Sequence, residues 1–369
     1  MIGSLEAADL QEVARRFRVG GEFLGARPCE SGHIHDTFVI DMRTKAGDRR
    51  YVLQRINNGV FRDVQGLQSN IEKITRHIRN KTVAGGDGRR RCLSLVPTID
   101  ERTFHRDAEG AYWRVFDFIE GARTHDLLDD PRLVYNAAHA FGGFLRLMGD
   151  FPSDELAITI PHFHDARHRF ERFRAALGED RASRAGSARG EADFILARKD
   201  DAGRLLDLMD AGALPRRVTH NDTKLNNVMI DDRTGEGLCV IDLDTVMPGL
   251  TGYDFGDAVR LGASTAAEDE RDLSRVRLGL GMFDRLAHGY LDATRGLIAA
   301  EEVDELAFAC KLMCLVTGVR FLTDHLEGDV YFKVRVPDHN LARCRTQLKM
   351  VSEIESKMDA MREIIDRYR

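Results

Sequence analysis

The hydrophobic pattern of this chain changes character between Phe118 and Gly121. Before this point, short apolar stretches alternate with polar and turn residues, as is typical of β-strands. After it, apolar residues recur at helical spacing, over 131–149, 163–178, 188–210, 270–298, 302–326 and 340–367. The pattern therefore predicts an α+β chain, with a small antiparallel-sheet lobe at 1–119 and a large, mainly helical lobe at 120–369.

The N-terminal part is expected to contain a hairpin and two helices. Its predicted strands are 32–41 and 49–56, joined by a turn at 45–48, with further strands around 93–100 and 111–119. The predicted helices cover 4–18 and 63–81, because apolar residues fall on one face of each.

Composition excludes several classes of protein. The chain has 369 residues with a net charge of −6, and no extended basic face argues for nucleic-acid binding. Its first ten residues do not resemble a secretory signal, and no apolar run approaches the ~18–20 residues of a membrane span. Without a CxxC pair, the six cysteines are interpreted as reduced core residues. We expect a cytoplasmic protein, monomeric or a small homo-oligomer, that binds neither nucleic acid nor a membrane.

Polar residues with a chemically useful spacing lie near the middle of the chain. They are His220, Asp222, Lys224, Asn227 and Asp242. Two short apolar runs, 228–230 and 238–241, flank the segment 231–237, which is typical of a hairpin turn. Such a hairpin would bring Asn227 and Asp242 to the same end.

These residue types suit transfer of a phosphate to a hydroxyl. Asp222 is a candidate base for the hydroxyl, and Lys224 can reach a transferring phosphate. Asn227 and Asp242 offer the hard oxygen ligands that Mg²⁺ prefers. His220 is expected to brace the loop by hydrogen bonding rather than to titrate.

The chain resembles known kinases at these positions. Residues 220–227 read His-Asn-Asp-Thr-Lys-Leu-Asn-Asn, the register of kinase catalytic loops, and Asp242 stands where kinases keep a metal-binding Asp. More closely, the chain is similar to the N-acetylhexosamine 1-kinases within the aminoglycoside phosphotransferase and choline kinase-like family. The strings that carry this similarity are 52–58, 220–227, 240–249, 252–260, 320–326 and 328–333.

That resemblance implies a bilobal protein-kinase-like fold, with nucleotide binding assigned to 1–119 and catalysis and substrate binding to 120–369. It also implies ATP and Mg²⁺, and transfer of the γ-phosphate to the anomeric hydroxyl of GlcNAc or GalNAc. Asp222 would then be the catalytic base, and Asn227 and Asp242 would hold Mg²⁺. Arg320 and Tyr331 fall in strings expected to help line the sugar pocket.

The nucleotide contacts follow the kinase pattern less closely. The turn that should cover the phosphates, at 30–36, has one glycine, and Ser31 and His33 are its candidate contacts. The strand that normally carries a phosphate-binding lysine offers Gln54 or Arg55 instead. Since strand side chains alternate, only one of the two can point into the cleft.

Three further residues are candidates for the nucleotide site. Glu72, on the helix that follows this strand, could pair with Arg55. Phe118 and Glu120 lie at the expected hinge, where adenine would bind.

Several acidic residues near the motif allow more than one interpretation. Asp244 could contact the metal or brace its neighbours. Asp254 and Asp257 include an Asp-Phe-Gly string, but Asp242 already fills the metal position, so a structural role in stiffening the catalytic loop is favoured. Arg320 lies in an apolar stretch and needs a partner, either the substrate or an acidic side chain.

Three alternative functions fit parts of the sequence. Residues 240–246 also match the Asp-x-Asp signature of haloacid-dehalogenase-like phosphatases, but that motif usually opens its domain, and residues 220–227 would then have no purpose. A catalytically inactive binding module would not need Asp222, Asn227 and Asp242 together. Within kinases of this fold, homoserine, choline or an aminoglycoside could replace the sugar, because a fold does not fix its substrate.

Overall fold

The computed structural model describes residues 7–29, 34–82, 88, 90–125 and 130–369. The chain divides into two compact units. The first comprises Met1–Ala122, Asp154–Ile160 and Leu238–Val246, and the second comprises Arg123–Ser153, Pro161–Gly237 and Met247–Arg369. The two units are therefore not separated at a single point of the chain, because the segment that carries Asp242 belongs to the first.

The first unit is built on an antiparallel sheet. Its strands are β1 (Glu22–Pro28), β2 (Asp36–Thr44), β3 (Gly47–Ile56), β4 (Leu95–Val96), β5 (His105–Arg106) and β6 (Tyr112–Asp117). They are ordered β1-β2-β3-β6-β4, with β5 beside β6. β2 and β3 pair from Asp36 opposite Arg55 to Thr44 opposite Gly47, which confirms the predicted hairpin. Gly47 has a φ of 110°, which glycine adopts without strain.

Two helices accompany this sheet, α1 (Ala7–Ala14) and α2 (Val64–Thr82). α2 confirms the predicted helix and buries Leu67, Ile71 and Ile74 along one face. The helix predicted at 4–18 ends earlier, at Ala14. The buried core of the sheet includes Leu10, Ala14, Phe17, Ile40, Leu53, Trp113 and Val115.

The second unit is mainly helical. Its helices are α3 (Pro131–Leu147), α4 (Ala166–Glu179), α5 (Arg189–Leu196), α6 (Arg204–Asp210), α7 (Thr251–Gly262), α8 (Leu280–Thr294), α9 (Ala300–Asp304), α10 (Leu306–Glu327) and α11 (His339–Asp366). The remaining short strands of the chain are β7 (Ala122–Arg123), β8 (Arg217–Thr219), β9 (Val228–Asp231), β10 (Gly237–Val240) and β11 (Met247–Gly249). An antiparallel sheet followed by a helical C-terminal part confirms the predicted α+β class.

Two of the predicted helices differ from the observed ones. The helix predicted at 188–210 is broken into α5 and α6. The helix predicted at 270–298 begins only at Leu280, because the preceding residues form a 3-10 turn at Leu273–Arg275 and an isolated β-bridge between Leu278 and Ser264.

Helix α10 is more apolar than the sequence reading allowed. By length and composition it could cross a membrane, so the expectation that no apolar run approaches a membrane span was wrong. In the structure, 89% of its most apolar window is buried inside the protein, which is the environment of a core helix. Cys310 and Cys314 lie on it, and five of the six cysteines are buried, as predicted for core residues, whereas Cys29 is half-buried.

Candidate active site

The loop after β8 carries the central motif of the second unit. β8 pairs with β11, with Thr219 opposite Met247, and the chain then turns through Asn221, whose φ is 64°. Asparagine is one of the few residues that tolerate this left-handed conformation. Gly249 makes the close approach possible, because a Cβ there would lie 2.7 Å from the Asn221 Oδ1.

Two carboxylates of helix α7 hold the backbone of this loop. The Oδ2 of Asp254 accepts the N–H of His220 at 2.9 Å, and its Oδ1 accepts the N–H of Asn221 at 2.7 Å. One turn later, Asp257 accepts the N–H of Thr223 at 3.0 Å. Residues three apart share a helix face, which is why both carboxylates reach the same loop.

Burial raises the pKa of Asp254 to about 6. Asp254 is 1% exposed, and the nearby Asp257 charge adds to the rise, while the His220 ring and the two backbone hydrogen bonds oppose it. A carboxylate at the base of this loop therefore titrates close to neutral pH.

The Asp222 carboxylate is held but still accessible. Its side chain is 20% exposed, and its Oδ2 lies 3.1 Å from the Lys224 ammonium and 3.2 Å from the Asn227 Nδ2. Burial alone would raise the pKa of Asp222, but the Lys224 ammonium and the His220 ring outweigh it, so the pKa lies below its usual value. Because both contacts use Oδ2, Oδ1 is the oxygen placed to accept a proton.

His220 supports the loop by packing against helix α3. Its side chain is buried against the rings of Phe141 and Phe144 on α3, at 5.5 and 5.8 Å between centroids. Its Nδ1 accepts the N–H of Asp222 at 3.3 Å. This hydrogen bond from the Asp222 N–H to the His220 ring closes a short turn immediately before the Asp222 side chain.

Asn227 meets the chemical requirements of a metal ligand. Its Nδ2 donates to the Asp222 carbonyl at 2.8 Å, which turns its Oδ1 the other way as an acceptor. Mg²⁺ takes such oxygens, with one or two carboxylates and substrate phosphates completing the shell. The described residues contain no group of three or more His, Cys, Asp or Glu placed to hold a metal ion, and a Mg²⁺ site completed by phosphates does not require one.

The second acidic motif belongs to the first unit. Asp242 has a φ of 59° and begins a short 3-10 turn at Leu243–Thr245. Asp244 in that turn is 1% exposed, and Arg114 of β6 binds both of its oxygens, at 2.5 and 2.6 Å. Burial would raise the pKa of Asp244, but the Arg114 guanidinium lowers it far below the usual value.

His35 contacts the same carboxylate. Its Nδ1 accepts the N–H of Asn57 at 3.0 Å, so its Nε2 carries the proton and donates to Asp244 at 3.1 Å. Both oxygens of Asp244 are therefore engaged by donors from the sheet and its loops.

Arg114 was missed by the sequence reading. It lies opposite Gln54 in the β3–β6 register, and its Nε donates to the Gln54 Oε1 at 2.9 Å. The Gln54 Nε2 in turn donates to Thr37 at 3.1 Å. The only sequence signal for Arg114 was a charge inside the apolar string 113–116, which implies a buried partner.

Arg55 and Glu72 have other partners than expected. The Nη2 of Arg55 lies 2.6 Å from Asp36, and its guanidinium lies 5.8 Å from the Trp113 ring. Glu72 lies 3.6 Å from Arg76 within α2. Asp36 and Arg76 therefore stand in place of the suggested Glu72–Arg55 pair.

The expected hinge residues are held by arginines. The Arg50 guanidinium lies 4.1 Å from the Phe118 ring, and its Nε donates to Glu120 at 2.9 Å. Arg90 donates to the Glu120 carbonyl at 2.9 Å. Ser31 and His33, the candidates at the phosphate turn, lie outside the described residues.

Arg320 and Tyr331 lie in a cationic and aromatic region of the second unit. The Arg320 guanidinium lies near two rings, 5.1 Å from Phe163 and 5.4 Å from Phe332. Burial, and then the charge of Arg320, lower the pKa of Arg169 to about 10. Tyr331 is 55% exposed, so its ring is available to a ligand.

The segment that carries Tyr331 is fixed by one carboxylate. Asp324 of α10 accepts the N–H groups of Val330, Tyr331 and Phe332 at 2.7 to 3.0 Å. It also accepts from the Asn340 side chain at 2.8 Å. Tyr331 and Phe332 are thereby held beside Arg320.

Solved structures of small-molecule kinases have a similar fold. A microcompartment-associated aminopropanol kinase matches with a TM-score of 0.63 at 14% identity, over 96% of this chain and 98% of that one. An aminoglycoside phosphotransferase from Alicyclobacillus acidocaldarius matches with a TM-score of 0.61 at 14% identity, over 97% and 96%. An amicoumacin kinase in complex with AMP-PNP and Ca²⁺ matches with a TM-score of 0.60 at 12% identity, over 96% and 94%.

Sequence comparison defines the family. The model of the phosphotransferase enzyme family matches residues 25–294, which is more than half of the chain and includes both acidic motifs. The chain therefore belongs to the phosphotransferase enzyme family, and it has the protein-kinase-like fold of small-molecule kinases.

Proposed function

We propose that this protein transfers the γ-phosphate of ATP to the anomeric hydroxyl of an N-acetylhexosamine such as GlcNAc or GalNAc. The observation that carries the proposal is the Asp222 carboxylate, ionised and 20% exposed on a braced loop, with the Lys224 ammonium 3.1 Å away. Phosphoryl transfer depends mainly on positioning and charge neutralisation, and such a loop supplies both.

Each residue of the motif has a role in this proposal. Asp222 accepts the proton of the acceptor hydroxyl, and Lys224 stabilises charge on the transferring phosphate. Asn227 and Asp242 hold Mg²⁺, which neutralises phosphate charge when bound. The related amicoumacin kinase was solved with a nucleotide analogue and a divalent cation, which supports this assignment.

Asp244 is better suited to bracing than to metal binding. Arg114 and His35 engage both of its oxygens, so a cation would have to displace a bidentate pair. The same geometry opposes a phosphatase mechanism, because Asp244 would have to serve there as a proton donor while its pKa lies far below neutral.

The nucleotide is assigned to the first unit. Ser31 and His33, with one of Gln54 and Arg55, are proposed around the phosphates; Glu72, which pairs with Arg76, is not proposed there. Phe118 and Glu120 are proposed beside adenine. The use of ATP is consistent with a cytoplasmic location, which we also propose.

The acceptor is assigned to Arg320 and Tyr331. A guanidinium near two aromatic rings offers N–H donors to hydroxyl and amide oxygens, and an exposed tyrosine offers a ring that a sugar can cover. An amino alcohol is the second candidate, since one similar structure is an aminopropanol kinase. The cationic neighbours Arg169 and Arg320 favour the uncharged sugar over a cationic acceptor.

An acceptor screen tests the proposal. ATP consumption is measured with GlcNAc, GalNAc, glucose, galactose, mannose, choline and 1-amino-2-propanol, and the product position is read by phosphorus NMR. We expect the highest kcat/KM with an N-acetylhexosamine and a product phosphorylated at the anomeric oxygen. A higher kcat/KM with either amino alcohol, or a phosphate at another carbon, would reject the sugar 1-kinase assignment.

A further inference from the structure

His164 contacts the catalytic loop from the start of helix α4. It is 8% exposed, and its ring packs against Phe163 and Tyr253 at 4.4 and 5.3 Å between centroids. Its Nε2 lies 2.8 Å from the carbonyl oxygen of Asn221. Because a carbonyl only accepts, Nε2 must carry the proton.

The second ring nitrogen of His164 shows that this contact has a cost. Its Nδ1 is buried and has no hydrogen-bond partner among the described residues. Burial lowers the pKa of His164 to about 4, so the neutral ring has one proton, and the bond to Asn221 uses it. An unpaired buried nitrogen is unfavourable, so an apolar residue would be less costly here unless the N–H were needed.

The carbonyl that His164 holds belongs to the peptide group between Asn221 and Asp222. The other side of Asn221 is already fixed, because its N–H donates to Asp254 and its side chain donates to Met247. His164 therefore holds the carbonyl end of the one peptide group that directly precedes the proposed base, while His220 accepts the N–H at its other end at 3.3 Å.

We propose that His164 is a positioning residue for phosphoryl transfer, whose Nε2–H holds the carbonyl end of the peptide group before Asp222 and, together with His220 at the N–H end, aims that carboxylate at the acceptor hydroxyl. The inference rests on the proposed role of Asp222. His164 donates no proton to the reacting atoms, and its effect passes entirely through the loop.

Two substitutions separate the hydrogen bond from the volume of the ring. His164→Leu fills the space without a donor, whereas His164→Gln keeps an amide N–H for the Asn221 carbonyl. Small displacements of a catalytic group cost on the order of 10²-fold, so we expect about that loss of kcat in H164L with an unchanged Kd for ATP. H164Q should recover at least about tenfold of the loss. The control H168Q changes a half-buried ring four residues further on, in helix α4, and should behave as wild type.

A double variant tests whether the effect passes through Asp222. In the D222N background, H164L should cost no further rate, because residues that act as one unit are non-additive. H164Q as slow as H164L, a kcat of H164L within about threefold of wild type, or an H164L effect that persists in D222N would each overturn the inference. Near-normal turnover by D222N alone would instead overturn the proposed function.

Discussion

At the scale of single residues, environment gives two carboxylates of the motifs different tasks. Asp222 is 20% exposed and keeps one oxygen away from its partners, whereas Asp244 is 1% exposed and has both oxygens bound. An exposed, ionised oxygen can accept a proton, and a doubly bound one can only hold its surroundings in place.

The first prediction concerns Asp222. Asp222→Asn keeps the size of the side chain but removes the proton acceptor, so kcat should fall by about 10²- to 10⁴-fold. The Kd for ATP should remain within about threefold of wild type, because the uniform binding of the nucleotide is untouched. Steady-state kinetics and calorimetric titration measure the two quantities. A variant that retains near-normal kcat would exclude Asp222 as the base.

The second prediction concerns the buried Arg114–Asp244 pair. Both side chains are 2% exposed, so Arg114→Met leaves an uncompensated buried carboxylate. Removing one partner of such a pair costs about 3–5 kcal/mol in the free energy of unfolding, to be measured by urea denaturation. Arg114→Lys should have a free energy of unfolding between those of the wild type and Arg114→Met, because lysine keeps the charge but loses the bidentate geometry.

Arg55 provides the matched control for this pair. It lies on the neighbouring strand and pairs with Asp36, but the two side chains are 26% and 31% exposed. Arg55→Met should therefore cost no more than about 1 kcal/mol. Equal losses in R114M and R55M would show that the buried pair has no special weight.

At the scale of secondary-structure elements, α7 determines the shape of the catalytic loop. Asp254 and Asp257 lie on one face of this helix and accept N–H groups from three loop residues. Thr223 returns a hydrogen bond from its hydroxyl to the Asp254 carbonyl at 2.5 Å. Because these acceptors lie on a regular helix, they hold the backbone of the loop in a defined position.

The third prediction is a pH dependence that this helix imposes. The pKa of Asp254 is raised to about 6, and the ionised carboxylate accepts the two backbone N–H groups more strongly than the protonated acid does. We expect kcat of the wild type to fall as the pH drops through about 6. Asp254→Asn should have a lower kcat that is flat over the same range, as measured by steady-state kinetics. The same inflection in the variant would assign the titration to another group.

The contribution of Asp254 to the free energy of unfolding changes with pH in the opposite direction to the expected change in kcat. The folded protein keeps this proton up to pH of about 6, whereas the unfolded chain loses it near its usual pKa of 3.8. Between these values the folded state binds more protons, so the contribution of Asp254 to the free energy of unfolding decreases as the pH rises. The group therefore favours folding at acidic pH and catalysis above it.

At the scale of the whole molecule, two motifs separated by only about twenty residues belong to different units. Asp222 and Asn227 lie in the second unit, and Asp242 lies in the first. Each half of the motif is supported by its own unit, Asp222 by α7 and the segment of Asp242 by β6 through Asp244. The family match spans residues 25–294 and so includes both halves.

The fourth prediction concerns ligand binding by the whole protein. A ligand that binds only the native state raises stability by RT ln(1 + [L]/Kd), about 2.7 kcal/mol at 100 times Kd, so MgATP should raise the Tm of the wild type. Asp242→Ala should lose the Mg²⁺-dependent part of this rise. Asp232→Ala, in the turn before β10, should retain it. A full Mg²⁺-dependent shift in D242A would exclude Asp242 as a metal ligand.

Elements with local signals in the sequence were predicted correctly. The β2–β3 hairpin, α2, and most helices of the second unit follow from periodicity and turn residues. The break before Leu280 was missed because the β-bridge from Ser264 to Leu278 is a tertiary contact. The burial of α10 could not be predicted from the sequence either, since an apolar helix has the same composition in a core or a membrane.

The fold class, the family and the register of the catalytic loop can be deduced from the amino-acid sequence, because periodicity and a contiguous motif are local features. The folded structure is needed to see that Arg114 binds Asp244, 130 residues away, and that His164 binds the carbonyl of Asn221, 57 residues away. Such partners depend on which buried donors and acceptors packing brings together, since most buried polar groups are paired. No spacing along the chain encodes that choice.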